Sequence, residues 1–225
     1  MKFKRITSDS PLTPYAPQWD YTFGTTVFKN INLNNLAQTC LEKEKEVKKL
    51  PVMYGDYKSP TNVNDGNTGL GKNSTTSKYE SYNVLDWKTI ETKQLKSNIA
   101  SSLMEYNSHL KNTISSQIWI TCWVNILRWG QRIKPHLHAT GPDAYLSGHF
   151  NAQTGHTSTC YMSPINHLTT SYRLDYPNIP GEMILFPSYI HHYTTRHYSF
   201  KPRITIAFDL NVSHARQDFN STILL

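Results

Sequence analysis

The sequence predicts one α+β domain, mainly β, in which a sheet-rich C-terminal half is backed by N-terminal helices. Helical periodicity is confined to the first half of the chain, whereas short β-branched and aromatic runs dominate after residue 117. The 225 residues contain neither an internal repeat nor a linker, and this length suits one domain. We therefore divide a single domain, residues 1–225, into an N-terminal extension at about 1–116 and a strand core at about 117–212.

The N-terminal part is predicted to contain an extended segment, a helix and a long loop. Three prolines before residue 18 exclude a helix, so residues 1–30 are expected to be extended at an edge or around the domain. Apolar residues recur at helical spacing from Leu33 to Leu50, where Asn32 or Asn34 can cap the helix. The Asn-, Gly-, Ser- and Thr-rich segment from Thr61 to Ser81 predicts a loop of the kind that forms active-site lids.

A second helix and six strands complete the predicted domain. Apolar residues from Ile90 to Leu110 fall on one helical stripe, and Asp86 lies near its start. The helices therefore precede the strands, as in a sheet backed by helices. The six predicted strands are Ile118–Leu127, Ala144–Asn151, Thr157–Met162, Glu182–Pro187, His191–Thr195 and Arg203–Leu210.

The amino-acid composition limits the classes of protein to which this chain can belong. With 38% hydrophobic and 17% charged residues, the chain is typical of a globular protein. No apolar run approaches about 18 residues, so we expect neither a membrane span nor a signal peptide. Three irregularly spaced cysteines indicate reduced thiols in an intracellular, cytoplasmic protein. The net charge of +7 favours an acidic partner. The chain contains no dense run of basic residues, so the sequence does not specifically indicate nucleic acid.

Histidines in the second half form a candidate metal site. His136 and His138 lie two residues apart, so on an extended strand both imidazoles point to the same face. A third ligand is expected after the apolar run that ends at Phe186, and we choose His192 over the adjacent His191. The other histidines of this half are interpreted as packed, hydrogen-bonded residues: His149, His156, His167, His197 and His214.

A candidate carboxylate-binding pair follows the last of these ligands. Arg203 and Thr205 begin the predicted strand RITIAFDL, and the period of two aims both side chains at one face. A guanidinium can bind a carboxylate through two parallel hydrogen bonds. The alternation that follows Arg203 favours a carboxylate-binding site beside the pocket, and the alternative is an arginine of an edge strand in an ion pair.

The ordered set H-x-H, S-G, F-P-S-x-x-x-H and R-x-T-x-A-F resembles a family of iron and 2-oxoglutarate oxygenases that are similar to prolyl 4-hydroxylases. The match runs from about Thr121 to Asn211. The resemblance implies a double-stranded β-helix, that is, a jelly-roll or cupin-like barrel. It also implies Fe(2+) bound by His136, His138 and His192, with 2-oxoglutarate and O2 as co-substrates. Arg203 would hold the distal carboxylate of 2-oxoglutarate.

Two positions depart from the pattern of the wider superfamily. His138 stands where a carboxylate is commoner, and three neutral nitrogens also suit zinc or copper. Asp143 in the following turn is the alternative source of a carboxylate ligand. A tyrosine that helps to hold 2-oxoglutarate is missing after Ser147 and Gly148, and Asn151 can donate that hydrogen bond instead.

The resemblance implies hydroxylation of a substrate, for which a peptide or protein side chain such as proline is our first hypothesis. Demethylation of a nucleic-acid base is a weaker hypothesis, and the oligomeric state is not predicted. A cupin-like metal-binding protein without oxygen chemistry is the alternative, since one barrel serves many functions. Arg203 and Thr205 favour the oxygenase, because a simple metal binder has no need of a carboxylate clamp.

Overall fold

A computed structural model describes residues 1–51, 68–113, 117–142, 144–164, 173–212 and 221–225. Within these ranges lie two α-helices, α1 (Leu33–Val47) and α2 (Ile90–Leu110), and ten strands. The strands are β1 (Lys2–Thr7), β2 (Asp20–Val27), β3 (Trp119–Leu127), β4 (Leu146–Gln153), β5 (Ser158–Tyr161), β6 (Leu174–Pro177), β7 (Glu182–Pro187), β8 (His192–Thr194), β9 (Arg203–Asn211) and β10 (Thr222–Leu224).

Two antiparallel sheets form the framework of the domain. The large sheet has the order β1-β2-β7-β4-β9-β3-β10, and the small sheet has the order β6-β5-β8. Side chains from both sheets line one cavity, so the site lies between them. The predicted mainly β architecture with helices is therefore confirmed.

Helix α1 begins where its sequence predicts. The Asn32 side chain accepts a hydrogen bond from the backbone N–H of Asn35, which satisfies one of the free donors of the first turn. Leu36, Cys40 and Val47 are buried on one face of the helix. This apolar face packs into the same core as the large sheet.

Helix α2 is fixed on the large sheet by an apolar stripe. A reciprocal capping box between Thr89 and Thr92 starts the helix, three residues after the predicted Asp86. Leu95, Ile99 and Tyr106 are buried along one face. The Tyr106 hydroxyl donates to the carbonyl of Thr22 at 2.7 Å, which ties the helix to β2.

Strand β9 divides the apolar core from the cavity. Arg203, Thr205 and Asp209 line the cavity, whereas Ile206 and Phe208 belong to the core shared with the helices. This alternation agrees with the period of two expected for a strand that is buried on both faces. Strand β9 thus presents Arg203, Thr205 and Asp209 to the cavity.

Gly148 of β4 is required by close packing. A Cβ atom at this position would lie 2.4 Å from the Phe208 ring and 2.7 Å from the carbonyl oxygen of Ile184. Neither distance is tolerable, because interiors are close-packed. The glycine of the S-G motif therefore allows three neighbouring strands to pack closely, and it also lines the cavity.

Several expectations need correction or remain open. Four strands were not predicted: β1 and β2 within the extended N-terminal segment, and the short β6 and β10. The three cysteines are free and buried, in agreement with the predicted thiols. No helix in the described ranges is long and apolar enough to cross a lipid bilayer. Asp143, His167, His214 and residues 61–67 of the predicted lid lie outside the described residues.

Candidate metal centre

His136, His138 and His192 come together in the structure. One ring nitrogen from each lies within 4.8 Å of the others. The backbone positions them, because His136 and His192 exchange two N–H to C=O hydrogen bonds of 2.9 and 3.0 Å, and the N–H of His138 donates to Ser188. The neighbouring His191, considered as an alternative ligand, is not part of the group.

Each of the three imidazoles is oriented by a bond at Nδ1. His136 Nδ1 contacts the carbonyl of Lys134 at 2.9 Å, and His192 Nδ1 contacts the carbonyl of Ile190 at 3.0 Å. A carbonyl only accepts, so both Nδ1 atoms carry the proton and both Nε2 atoms keep a free lone pair. This is the tautomer that a metal ligand needs.

His138 is oriented by a carboxylate. Its Nδ1 lies 2.5 Å from Oδ1 of Asp209, and the Ser147 hydroxyl donates to the same oxygen at 2.6 Å. The Ser147 hydroxyl also lies 3.0 Å from that of Ser188. A carboxylate that hydrogen-bonds a ligating histidine increases the basicity of the ligand.

Burial keeps two of the site histidines, His136 and His192, neutral. Burial, reinforced by the neighbouring His138, lowers the pKa of His136 to about 4. The pKa of His192 is lowered well below its usual value, again first by burial and then by His136. Both rings are therefore unprotonated at neutral pH and offer lone pairs to a cation.

Aromatic rings surround the three histidines. The ring centres of Phe186 and His192 are 5.0 Å apart, those of Tyr161 and His192 are 5.8 Å apart, and those of Trp123 and His138 are 5.5 Å apart. An apolar shell of this kind limits the access of water to a metal.

The described part of the predicted lid forms a fixed wall of the cavity. Thr75 Oγ1 donates to the carbonyl of Val124 and Thr76 Oγ1 to the amide oxygen of Asn125, both at 2.6 Å on β3. Thr76 and Tyr79 also line the cavity. Residues 68–81 are thus anchored by buried hydrogen bonds, and a lid function of the segment from Thr61 to Ser81 stays a prediction.

A group of buried polar side chains continues the cavity beyond the histidines. Arg203 Nε and Nη1, Thr205 Oγ1, His149 Nδ1 and both amide atoms of Asn151 make no hydrogen bond with any described residue. Asn151 pairs in register with Thr205, but it is not among the residues that line the cavity. Each unsatisfied polar group costs about 1–3 kcal/mol. Their concentration at one site indicates space for a polar ligand.

The free-energy cost of unsatisfied polar atoms is highest for Arg203, because its buried side chain carries a charge. Only 2% of its surface is accessible, and its one hydrogen bond within the described chain runs from Nη2 to Thr159 Oγ1 at 3.3 Å. Burial lowers the pKa of Arg203 to about 10. The guanidinium remains charged at neutral pH and faces the cavity, and no described carboxylate pairs with it.

His149 is a neutral neighbour of this arginine. Its Nε2 lies 2.8 Å from the Tyr161 hydroxyl, in agreement with the predicted hydrogen-bonded role. Burial and the charge of Arg203 lower the pKa of His149 to about 3. His149 also lines the cavity, which its interpretation as a packed residue did not include.

The sequence motifs located the histidines, Arg203 and Thr205, which all line one cavity of about 140 Å³. They missed Asp209 and Ser147 behind His138, and Tyr161 behind His149. A signal for Asp209 was present, because it lies on the same face of its strand as Arg203 and Thr205. No local pattern identified Tyr161.

A comparison with protein families matches the segment of the chain that contains the site residues. Residues 121–209 match a family model described as "Putative 2OG-Fe(II) oxygenase", and this range contains all the predicted site residues. The resemblance drawn from the motifs is therefore confirmed over these residues. A search of curated proteins found no match to the chain.

Comparison with solved structures confirms the fold. A Pseudomonas putida prolyl-4-hydroxylase aligns with a TM-score of 0.54 at 12% identity, covering 85% of this chain and 88% of that one. A prolyl hydroxylase from Trichoplax adhaerens, solved with a hypoxia inducible factor peptide fragment, gives a TM-score of 0.49 at 14% identity, covering 84% of each chain. The first likeness shows the predicted jelly-roll barrel.

Proposed function

We propose that this protein is a non-haem Fe(II) dioxygenase that couples oxidative decarboxylation of 2-oxoglutarate to hydroxylation of a second substrate. His136, His138 and His192 would bind the metal. Arg203, Thr205 and Asn151 would bind the carboxylate of 2-oxoglutarate that is remote from the metal. The family match over residues 121–209 supports the class of chemistry, and the cavity geometry supports the assignment of roles.

One observation carries this proposal: a buried, charged Arg203, two of whose nitrogens bond no described residue, lies in the same cavity as three convergent histidines. Burying a cation without an anion is unfavourable unless a ligand supplies the opposite charge. A dicarboxylic keto acid would suit this cavity, because Arg203 would hold one carboxylate and the three histidines would hold the metal to which the keto acid end binds. Thr205 and Asn151 supply further unpaired atoms for the same ligand.

The donor set fits iron when Asp209 is included. A facial triad with two histidines and one carboxylate is typical of non-haem Fe(II), whereas three imidazoles leave the metal more positive. Here the carboxylate of Asp209 lies behind His138, 2.5 Å from its Nδ1, and delivers negative charge through the ring. Ferrous iron, when bound, supplies the activation of O2 that organic side chains lack.

The remaining side chains position the reactants and exclude water. The bonds at Nδ1 fix each histidine ring before a metal arrives, so little reorganisation is needed. Phe186 and Trp123 line the cavity beside the histidines and keep that region apolar. The wall at residues 68–81 is held by hydrogen bonds to β3, which restricts the path of a substrate to the remaining opening.

The second substrate is proposed to be a peptide or protein side chain, with proline as the first residue to test. The prolyl-4-hydroxylase of similar fold motivates this choice. The alternative, a cupin-like metal-binding protein without oxygenase activity, explains the three histidines. It gives no reason for a buried arginine that lacks an anion, so we favour the oxygenase.

The decisive experiment measures conversion of 2-oxoglutarate to succinate without a second substrate, together with iron content. Wild-type protein loaded anaerobically with Fe(II) should hold one iron per chain and turn over 2-oxoglutarate slowly. His136→Ala and His192→Ala should lose most of the iron, because two ligands hold a metal poorly. His156→Ala is the matched control, since His156 is exposed and outside the group.

Equal iron content in wild type and both ligand variants would refute the metal assignment. Full iron content with no detectable use of 2-oxoglutarate would instead favour the cupin-like alternative. Neither outcome depends on knowing the second substrate.

A further inference from the structure

Three exposed aromatic residues form a patch at one end of the ribbon that carries the metal-site histidines. Trp129, Tyr198 and Phe200 are 57%, 62% and 95% exposed. The Trp129 ring lies 5.6 Å from Tyr198 in an edge contact and 5.2 Å from Phe200 in a stacked contact. We call these three residues the aromatic patch. Aromatic side chains exposed as one contiguous group mark interaction surfaces.

The patch is connected to the metal site through two chain segments that run antiparallel. Backbone hydrogen bonds join Gly130 to His197 and Ile133 to Thr194, and the same pairing ends at His136 and His192. We call residues 128–138 and 191–203 the basic ribbon. The seven residue steps from Trp129 to His136 span at most roughly 25 Å. One short peptide can therefore reach from the patch to the metal site.

The charged lysine and arginine side chains of the basic ribbon are not balanced by acidic residues within it. Its two segments contain six lysines and arginines and neither Asp nor Glu, in a chain with a total net charge of +7. Arg128 is paired with Glu44, and Arg203 is buried in the cavity. The remaining four cations are exposed and form no ion pair with any described residue: Arg132, Lys134, Arg196 and Lys201.

We propose that the aromatic patch and the basic ribbon together bind an acidic peptide segment with an apolar anchor residue. The anchor packs on Trp129 and Phe200, and acidic side chains of the peptide pair with the unpaired cations along the ribbon. Exposed Trp, Tyr and Arg are the residues that contribute most to protein interfaces. That the bound segment belongs to the hydroxylated substrate rests on the proposed function, whereas the binding itself does not.

The ring geometry favours a peptide over single-stranded nucleic acid. Single-stranded nucleic acid is bound by stacking successive bases on the open faces of aromatic side chains. The rings of the patch instead contact one another, at 5.2 and 5.6 Å, so part of their faces and edges is already covered. The patch therefore offers one continuous apolar surface, which suits a single side chain flanked by negative charge.

The test uses a fluorescein-labelled, glutamate-rich peptide with one central leucine, titrated by fluorescence anisotropy against the Fe(II)-loaded protein. We expect saturable binding that weakens with added salt, because exposed charges are screened. Trp129→Ala combined with Phe200→Ala should weaken binding at least tenfold, and so should Arg132→Glu combined with Lys201→Glu. The controls are Tyr15→Ala for an exposed aromatic residue and Lys45→Glu for an exposed cation outside the ribbon.

A lysine-rich peptide of equal length and an oligothymidylate serve as competing probes. Absence of saturable binding of the acidic peptide, or equal binding by all variants, would overturn the proposal. Tighter binding of oligothymidylate, lost in the same variants, would assign the surface to nucleic acid and also overturn it. Hydrogen exchange of the unmutated protein provides a check that needs no variant, since the peptide should slow exchange at 128–134 and 195–201.

The binding assay is separate from the oxygenase reaction. Loss of the proposed function would appear as absent succinate formation while peptide binding persisted. Loss of the docking proposal would appear as absent peptide binding while 2-oxoglutarate was still consumed.

Discussion

His138 and Asp209 form a short hydrogen-bonded pair, with Nδ1 and Oδ1 2.5 Å apart, although 71 residues separate them in the chain. The pair places the carboxylate of the site behind the imidazole. In the two-histidine, one-carboxylate arrangement, the carboxylate itself contacts the metal. This site therefore also combines histidines with a carboxylate, but here His138 lies between Asp209 and the proposed metal position.

Removing the charge of Asp209 should weaken metal binding. Asp209→Asn keeps an oxygen acceptor for His138 Nδ1 but loses the negative charge, whereas Asp209→Ala loses both. We expect about a tenfold loss of Fe(II) affinity for the asparagine variant and up to about 100-fold for the alanine variant. Titration with Fe(II) under anaerobic conditions measures both values.

Asp175→Asn is the matched control for this series. Asp175 is exposed and paired with Arg173 on β6, outside the cavity. Unchanged affinity in Asp209→Ala would show that Asp209 has no part in holding the ligand. Equal losses in the two Asp209 variants would show that charge matters and that orientation does not.

Substitution of His138 tests the least secure ligand. His138→Ala should lose iron and turnover of 2-oxoglutarate, because only two ligands remain. His138→Asp restores the commoner carboxylate, but it brings this carboxylate close to Asp209, and like charges at short range repel. We therefore expect His138→Asp combined with Asp209→Asn to hold iron better than His138→Asp alone.

Asp143→Ala completes the comparison, since Asp143 was the alternative source of a carboxylate. Iron content and succinate formation should change little in this variant. Full activity of His138→Ala together with an inactive Asp143→Ala would contradict the assignment of His138.

Local patterns predicted the parts of the fold that repeat with a regular period. The stripe from Ile90 to Leu110 gave α2 with its observed limits, and the alternation in β9 gave the cavity positions of Arg203 and Thr205. Strand β10 escaped prediction because its three residues are too short to show a period. Strands β1 and β2 were hidden because prolines lie between them and suggested an irregular segment.

The supporting residues of the site could not be predicted from local patterns, because long-range pairing creates them. Ser147 reaches Asp209 only because β4 lies beside β9 in the sheet order. Tyr161 reaches His149 only because the small sheet faces the large one across the cavity. Motif spacing therefore identified the candidate ligands, and the topology identified the side chains that orient them.

Acidification should destabilise the metal-free protein. The pKa values of His136 and His149 are lowered to about 4 and about 3, and that of His192 is also lowered, in each case first by burial. Below about pH 6.5 the unfolded chain therefore binds protons that the folded chain does not, so the free energy of unfolding decreases as the pH is lowered. Between about pH 7 and 5.5 each histidine should remove about 1 kcal/mol from the free energy of unfolding.

Urea unfolding at the two pH values measures this loss. His149→Gln removes one of the three histidine contributions, so about 1 kcal/mol of the loss between the two pH values should disappear. His156→Gln is the control, because His156 is exposed. An identical pH dependence in His149→Gln and wild type would show that burial of His149 does not contribute. Glu182, whose pKa burial raises to about 6, acts in the opposite direction and is present in all three proteins.

Replacing Arg203 should separate binding of 2-oxoglutarate from binding of iron. Arg203→Met keeps an unbranched, flexible side chain and removes the buried charge, which has no anion partner among the described residues. Loss of a charge-assisted, bidentate contact should cost a few kcal/mol, so the KM for 2-oxoglutarate should rise by about 100-fold or more. Without the ligand, Arg203→Met should be at least as stable as wild type, because an unpaired buried cation is removed. Iron content should not change, and Arg5→Met, at an exposed arginine paired with Asp20, is the matched control. An unchanged KM in Arg203→Met would place the carboxylate of 2-oxoglutarate elsewhere in the cavity.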